Sequence, residues 1–378
     1  MYQARVICVY LDLATKEIGM KFKSLLAAMF LLSPAFAFSE ESESVDWLAE
    51  IQTSPDKLPA NTPMVGSLLE TSRGMIKNQR QWESRKREIR RRWLRYLSPA
   101  IKNRGAAPAY KVIQEDTIDG VIRQLIRYEV EPGEVVDAYL LRPISLVDNA
   151  PGVVVFHSTV NHSIRQPAGI EGVKEKAFGL ALAKQGFIAI CPRNYLWPNN
   201  DIIKAQEMAD RYHAKNPSST GMSKMLYDGQ VAIDILEMQP GLDKERIGVI
   251  GHSLGAKEVI YMGAFDDRVK VIVSSEGGVS TTFSNWYAPW YLGDAIRNEQ
   301  FPHDHEELLG LIAPKPFLLV GGDSADGDQS WPIIHRALEV YRLYEKPANI
   351  GLYNHRQGHA VPVEAEQRML QWLVHYLK

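Results

Sequence analysis

The sequence predicts an α/β fold, an eight-stranded and mostly parallel sheet flanked by helices, preceded by an N-terminal helical extension. Three observations carry that reading. From Gly152 onward, short and almost wholly apolar runs alternate with helical stretches, the pattern of strands buried on both faces. Just before them, two runs alternate apolar and polar residues around Glu131-Pro132-Gly133-Glu134, which marks an antiparallel hairpin. Finally, Ile247-Gly248-Val249-Ile250 runs straight into Gly251-His252-Ser253-Leu254-Gly255, with helical spacing behind it. The 378 residues are 45% hydrophobic and 23% charged, enough for one large core and an appendage. A net charge of -2 gives no reason to expect nucleic acid or an anionic membrane as partner.

At the N-terminus, Met20-Lys21-Phe22-Lys23 is a basic start, residues 25–36 are mostly apolar, and Ala35-Phe36-Ala37 is a small-residue cleavage site. These are the parts of a secretory signal peptide, so residues 1–37 read as a leader region whose true start is Met20. The apolar run is shorter than the roughly 20 residues of a membrane span. The mature chain is therefore expected to be periplasmic or secreted, with no stable membrane span. Cys8 precedes the leader and Cys191 ends an apolar run, where a buried thiol is expected.

Residues 38–109 form the predicted extension. Its first half, to residue 74, is polar and proline-dotted and should wrap a surface loosely. Residues 74–97 read as helix, because Trp82, Ile89, Trp93, Tyr96 and Leu97 recur at helical spacing. The opposite face carries Arg85, Lys86, Arg87, Arg90, Arg91, Arg92 and Arg95, expected to be solvated and paired with local carboxylates. Residues 110–378 hold the main domain: a hairpin at 121–130 and 135–141, then strands at 152–156, 187–191, 247–250, 269–273, 316–320 and 349–353.

A buried strand that turns sharply into a helix gives G-x-S-x-G its chemical meaning. The turn strains the serine backbone and lifts its hydroxyl above the sheet edge, while the two glycines remove side chains that would clash. The next amide, on Leu254, then sits at a helix N-terminus, where partial positive charge can hold an oxyanion. Ser253 is accordingly the expected nucleophile. It needs a base, and the base needs an orienting acid; behind such an elbow the acid precedes the histidine in the chain. His359 stands after the last strand in Asn354-His355-Arg356-Gln357-Gly358-His359 and is the expected base, with His355 structural. For the acid, a strand, a glycine turn and then an Asp favour Asp326 within Gly321-Gly322-Asp323-Ser324-Ala325-Asp326-Gly327-Asp328. Asp323 and Asp328 stay open, as does Glu276, which follows the preceding strand.

A second oxyanion donor should come from the loop His157-Ser158-Thr159-Val160-Asn161-His162, through Ser158 or Thr159. Phe283, Trp286, Tyr287, Trp290 and Tyr291 crowd one insert, and Trp197 follows another strand end. Trp197, Trp286 and Trp290 are candidate stacking faces for a sugar ring or aromatic acyl group, although such rings can equally pack the insert. Lys257 could reach a substrate anion, a surface salt bridge being the default. His303-Asp304-His305 lacks a further ligand at metal spacing, so no metal is expected and Asp304 reads as a helix cap. No cofactor is required.

Together WESRKREIRRRWLRYL, GHSLGAKEV, HDHEELLGLIAPKPFLLVGGDSADGD and NHRQGHAVP resemble the dienelactone hydrolase and acetyl xylan esterase branch of the α/β-hydrolases, with some similarity to glucuronoyl esterases. The resemblance covers residues 82–378. It implies the α/β-hydrolase fold and a secreted or periplasmic serine esterase acting on acyl or methyl ester decorations of plant polysaccharide. The triad it implies is Ser253, His359 and Asp326. HSTVNH stands where relatives carry a glycine-rich oxyanion loop, and Leu254 where glucuronoyl esterases carry an arginine. The expectation is a carboxylic ester hydrolase working through an acyl-enzyme on a small-molecule or carbohydrate ester. A prolyl-oligopeptidase-like serine peptidase and a non-catalytic glycan-binding fold are the alternatives.

Overall fold

The computed structural model describes residues 44–378, apart from 61, 73, 102–104, 146 and 199–201. The leader region, the start at Met20 and Cys8 lie outside the described residues. Nine strands, rather than eight, form the main sheet among those described. They are β1 (Tyr110–Ile118), β2 (Val121–Glu131), β3 (Glu134–Pro143), β4 (Ala150–Phe156), β5 (Ile188–Pro192), β6 (Leu242–His252), β7 (Val269–Ser275), β8 (Phe317–Gly321) and β9 (Ile350–Asn354). In space they run β9-β8-β7-β6-β4-β5-β3-β2-β1. Strands β4 to β9 are mutually parallel, and β1, β2 and β3 join antiparallel at one side. The strand that sequence reading missed is β1, an edge strand whose residues are nearly all exposed. Edge strands carry charge to deter pairing, and Lys111, Glu115 and Asp116 erase the apolar alternation that would announce it.

Alternate residues of the parallel strands feed two cores, as the period of a strand requires. Val153 and Val155 of β4 pack with α3 (Phe178–Lys184) and α9 (Val363–Leu377). Val154 and Phe156 face the other way, toward α2 (Gln79–Leu97), α5 (Gly221–Glu237), α6 (Leu254–Phe265), α7 (Glu306–Ile312) and α8 (Trp331–Tyr341). This double burial is why those strands read as continuous apolar runs. Two further helices are α1 (Leu48–Ile51) and α4 (Ala205–Lys215).

The extension is tied down more firmly than its composition suggests. Val45, Ile51, Leu68 and Ile76 are buried. Ile51 sits so close to Gly351 of β9 that a Cβ there would lie 2.3 Å from it, and Gln52 donates to the Ile350 carbonyl at 2.9 Å. Helix α2 begins after Asn78, whose side chain accepts from the Gln81 amide at 3.0 Å, and ends at Ser98 in the left-handed region (φ 46°). Trp82, Ile89, Trp93 and Leu97 make its buried stripe. Part of its basic face is not solvated: Arg90 donates to the carbonyls of Ala264 (2.7 Å) and Phe265 (3.0 Å) at the C-terminal end of α6. A cation there satisfies acceptors the helix itself cannot. Among the described residues no helix is long and apolar enough to cross a membrane.

Candidate active site

Ser253 sits at the junction of β6 and α6 with φ 60° and ψ -112°, a backbone state outside the usual regions for a residue with a side chain. Holding it there costs about 1–3 kcal/mol. All twelve residues of α6 are buried, and the Ser253 amide donates to the Ser275 carbonyl at 2.8 Å, so the surroundings over-determine the turn. Both flanking glycines are obligatory. A Cβ on Gly251 would lie 2.2 Å from the backbone of Gly255, and one on Gly255 would lie 2.3 Å from the Phe156 carbonyl oxygen.

The hydroxyl of Ser253 lies 2.9 Å from Nε2 of His359. His359 arrives from the loop after β9, which is stitched to the loop after β8: the Gly358 amide donates to Gly322 at 2.6 Å and Asn354 Nδ2 donates to Asp323 at 2.7 Å. On its other side, Nδ1 of His359 lies 3.1 Å from Oε2 of Glu276, a residue 1% exposed. The geometry therefore links Ser253, His359 and Glu276 in one hydrogen-bonded chain.

This corrects the choice of Asp326. Its carboxylate, fully buried, accepts from the amides of Gly278 and Val279 (both 2.7 Å) and from the Ser330 hydroxyl (2.9 Å). Glu276 in turn accepts from the amides of Gly322 and Ala325, the latter at 2.8 Å. Each acid thus anchors the backbone of the loop that carries the other. Only Glu276, turned by a positive φ of 57° at the end of β7 and one methylene longer, reaches the imidazole. Burial, followed by the charge of Glu276, pushes the Asp326 pKa up to about 6 against the pull of its donors. Asp323 and Asp328 are also displaced from the acid position, both accepting from Asn354.

A cavity of about 420 Å³ opens over Ser253, lined by Thr159, Leu254, Lys257, Tyr291 and His359 among others. Thr159 faces it, whereas Ser158 is buried outside its lining with its amide directed to Gln166 Oε1 at 3.4 Å. Of the two loop candidates, Thr159 is the one with access. Trp197, Trp286 and Trp290 do not line the cavity. Trp286 is fully buried and its indole donates to the Gly278 carbonyl at 2.7 Å, while Trp197 packs edge-on to His157 at 4.6 Å. Trp290 is half-buried against the core, its carbonyl accepting from Tyr195 at 3.4 Å. Trp286 and Trp290 thus pack within the insert and Trp197 against His157, instead of presenting stacking faces to this cavity.

Lys257 is the residue that sequence reading undervalued. Rather than forming a surface salt bridge it is 3% exposed, donates to the Gly277 carbonyl, and lies 4.1 Å above the Trp286 ring. Burial pulls its pKa down to about 7, opposed by the charge of Asp326. The signal was its position four residues after Ser253, one helical turn along the same face. Asp304 likewise departs from the cap expected of it. It accepts from the Ser280 hydroxyl (2.7 Å) and the Thr281 amide (2.6 Å), pinning the insert. Among the described residues no group of three or more His, Cys, Asp or Glu is placed to hold a metal. Cys191 is buried, which pushes its thiol pKa up and leaves it inert.

An elbow serine on β6, a histidine after β9 and an acid after β7 sit on a sheet of known plan. Residues 136–296 match the dienelactone hydrolase family. The chain has the α/β-hydrolase fold. A glucuronoyl esterase from Solibacter usitatus superposes on this chain with a TM-score of 0.64 at 15% identity, covering 85% of this chain and 99% of that one. In sequence, 4-O-methyl-glucuronoyl methylesterase 1 of Sodiomyces alcalophilus is 26% identical over 167 residues, 35% of this chain and 33% of the relative. A carbohydrate esterase of unknown prokaryotic origin is 22% identical over 167 residues, 40% of this chain and 38% of the relative. The chain thus spans between 33% and 38% of the length of these two curated relatives.

Proposed function

We propose that this α/β-hydrolase is a serine carboxylic ester hydrolase that works through an acyl-enzyme on acyl or methyl ester decorations of carbohydrate. The observation that carries the reading is the unbroken chain from Ser253 through His359 to Glu276, at 2.9 and 3.1 Å. His359 Nε2 takes the hydroxyl proton as Ser253 Oγ attacks the ester carbonyl, and Glu276 stabilises the imidazolium and fixes its tautomer. The amides of Leu254 and Thr159 hold the oxyanion, each worth about 3 kcal/mol in the transition state. His359 then passes its proton to the departing alkoxide, and water releases the acid by the reverse proton path. Thr159, Lys257, Asn285 and Tyr291 give the cavity the polar lining that suits a hydroxyl-bearing substrate. Similarity to carbohydrate esterases supports that class.

The same proposal places the mature enzyme in the periplasm or outside the cell, with residues 38–109 as an extension on a catalytic domain at 110–378. The test is a panel of acetylated sugars, methyl glucuronate esters, feruloyl esters and a dienelactone, with labelling by a fluorophosphonate probe. Turnover of at least one carbohydrate ester and labelling that disappears in Ser253→Ala are expected. Folded protein that neither labels nor hydrolyses any member of the panel would refute it.

A further inference from the structure

A second cavity, of about 760 Å³, abuts the one over Ser253, and the two share Ser284 in their walls. Its lining combines hydroxyls (Thr281, Thr282) with two aromatic rings (Tyr287, Phe301). Tyr287 is 44% exposed even though the Arg297 guanidinium lies 4.6 Å over its ring. Glu306, at the start of α7, also lines this space, and its Oε2 is buried with no hydrogen-bond partner among the described residues. A buried polar atom without a partner is costly to leave unmet, so a ligand that supplies one is favoured.

We propose that this cavity is a subsite for uncharged sugar units, holding the glycan backbone that carries the ester cleaved at Ser253. The idea rests on the reading of the site as a carbohydrate esterase. Sugar rings offer a C–H face to an aromatic ring and hydroxyls to short polar side chains, which is what this wall presents. Its charges select among sugars. Arg297 is opposed by Glu299 and Asp304, so a uronate ring would meet excess negative charge. Burial, followed by the charge of Asp304, pushes the Glu306 pKa up to about 8, so at neutral pH this carboxyl is a neutral donor and acceptor suited to a hydroxyl. With Ser284 in both walls, the two cavities lie side by side, within reach of one oligosaccharide.

The test uses the full chain as Ser253→Ala, titrated by calorimetry with unesterified xylo-oligosaccharides and, separately, with oligogalacturonate. The neutral oligomer should bind the more tightly. Tyr287→Ala should weaken it about tenfold by removing the aromatic face. Glu306→Leu should weaken it severalfold yet raise Tm, because it deletes an unsatisfied group, whereas Glu306→Gln should retain binding. On the active chain, Tyr287→Ala should leave kcat/KM for p-nitrophenyl acetate unchanged and raise KM for an oligosaccharide-borne ester about tenfold. Absence of neutral-oligomer binding at millimolar concentration, tighter binding of the uronate oligomer, or equal losses on both esters would overturn the proposal. Oligosaccharide binding by a chain that hydrolyses no ester would sink the esterase reading alone, and ester hydrolysis without that binding would sink only this subsite.

Discussion

Replacing Glu276 by Gln tests the reasoning most directly, because the buried environment allows only two orientations of the amide. Oε2 of Glu276 now accepts from His359 Nδ1 and from the Ala325 amide, while Oε1 accepts from the Gly322 amide. If the new NH₂ takes the Oε2 place, it faces two donors. The imidazole then shifts its proton to Nε2, where it points at Ser253 and cannot accept. Removing the base in this way lowers kcat by about 10⁴, the loss seen when a triad Asp becomes Asn, or roughly 5.5 kcal/mol. If the NH₂ turns the other way it meets the Gly322 amide, and the unmade hydrogen bond costs about 1–3 kcal/mol of stability. Either orientation strands one backbone amide, of Ala325 or Gly322, so a modest fall in Tm is common to both, and p-nitrophenyl acetate turnover drops by up to about 10⁴ according to the share of molecules whose NH₂ faces Nδ1. Asp326→Asn should show the reverse, a clear loss of Tm with kcat down by about tenfold at most, since Asp326 holds Gly278, Val279 and Ser330 and does not touch His359. A silent Glu276→Gln beside a crippling Asp326→Asn would refute the assignment.

Other outcomes follow from the same geometry. Thr159→Pro, which removes the amide, should lower kcat by about 10²–10³, whereas Thr159→Val should leave it nearly unchanged; equal effects in steady-state kinetics would remove Thr159 from the oxyanion site. Gly255→Ala drives a methyl to 2.3 Å from the Phe156 carbonyl, so soluble yield and fluorophosphonate labelling should both collapse. Lys257 has a pKa near 7 in the folded chain, below its ordinary value of about 10.4. Between those values the unfolded chain holds a proton that the folded chain lacks, so this residue makes stability rise with pH, and its full penalty is present below pH 7. Lys257→Met should therefore shift Tm most favourably at pH 7 and below, with the advantage shrinking toward pH 10; a difference independent of pH in calorimetric scans would contradict the burial argument.

The order of the parallel elements was legible because strands buried on both faces must be apolar throughout, and helices must separate parallel neighbours. The elbow was legible for a related reason: Gly251 answers to the backbone of Gly255 four residues on, a constraint written in one stretch of chain, although Gly255 itself answers to Phe156 of β4 across the sheet. The proposed base, His359, was nearly as clear, since it stands in the loop after the last strand. Strand β1 was not, because an exposed edge imposes no apolar pattern.

Which carboxylate meets His359 was decided only in three dimensions. Glu276 and Asp326 lie on neighbouring strand ends, each bound by the other's loop, and their exchange of backbone donors joins residues 46 to 49 positions apart. No spacing rule within one segment encodes such reciprocity. The burial of Trp197, Trp286 and Lys257 was hidden for the same reason, since an aromatic ring or a lysine stem carries no mark of whether distant segments fold over it. What is set by neighbours along the chain could be read directly, and what depends on loops meeting across the sheet edge required the tertiary structure.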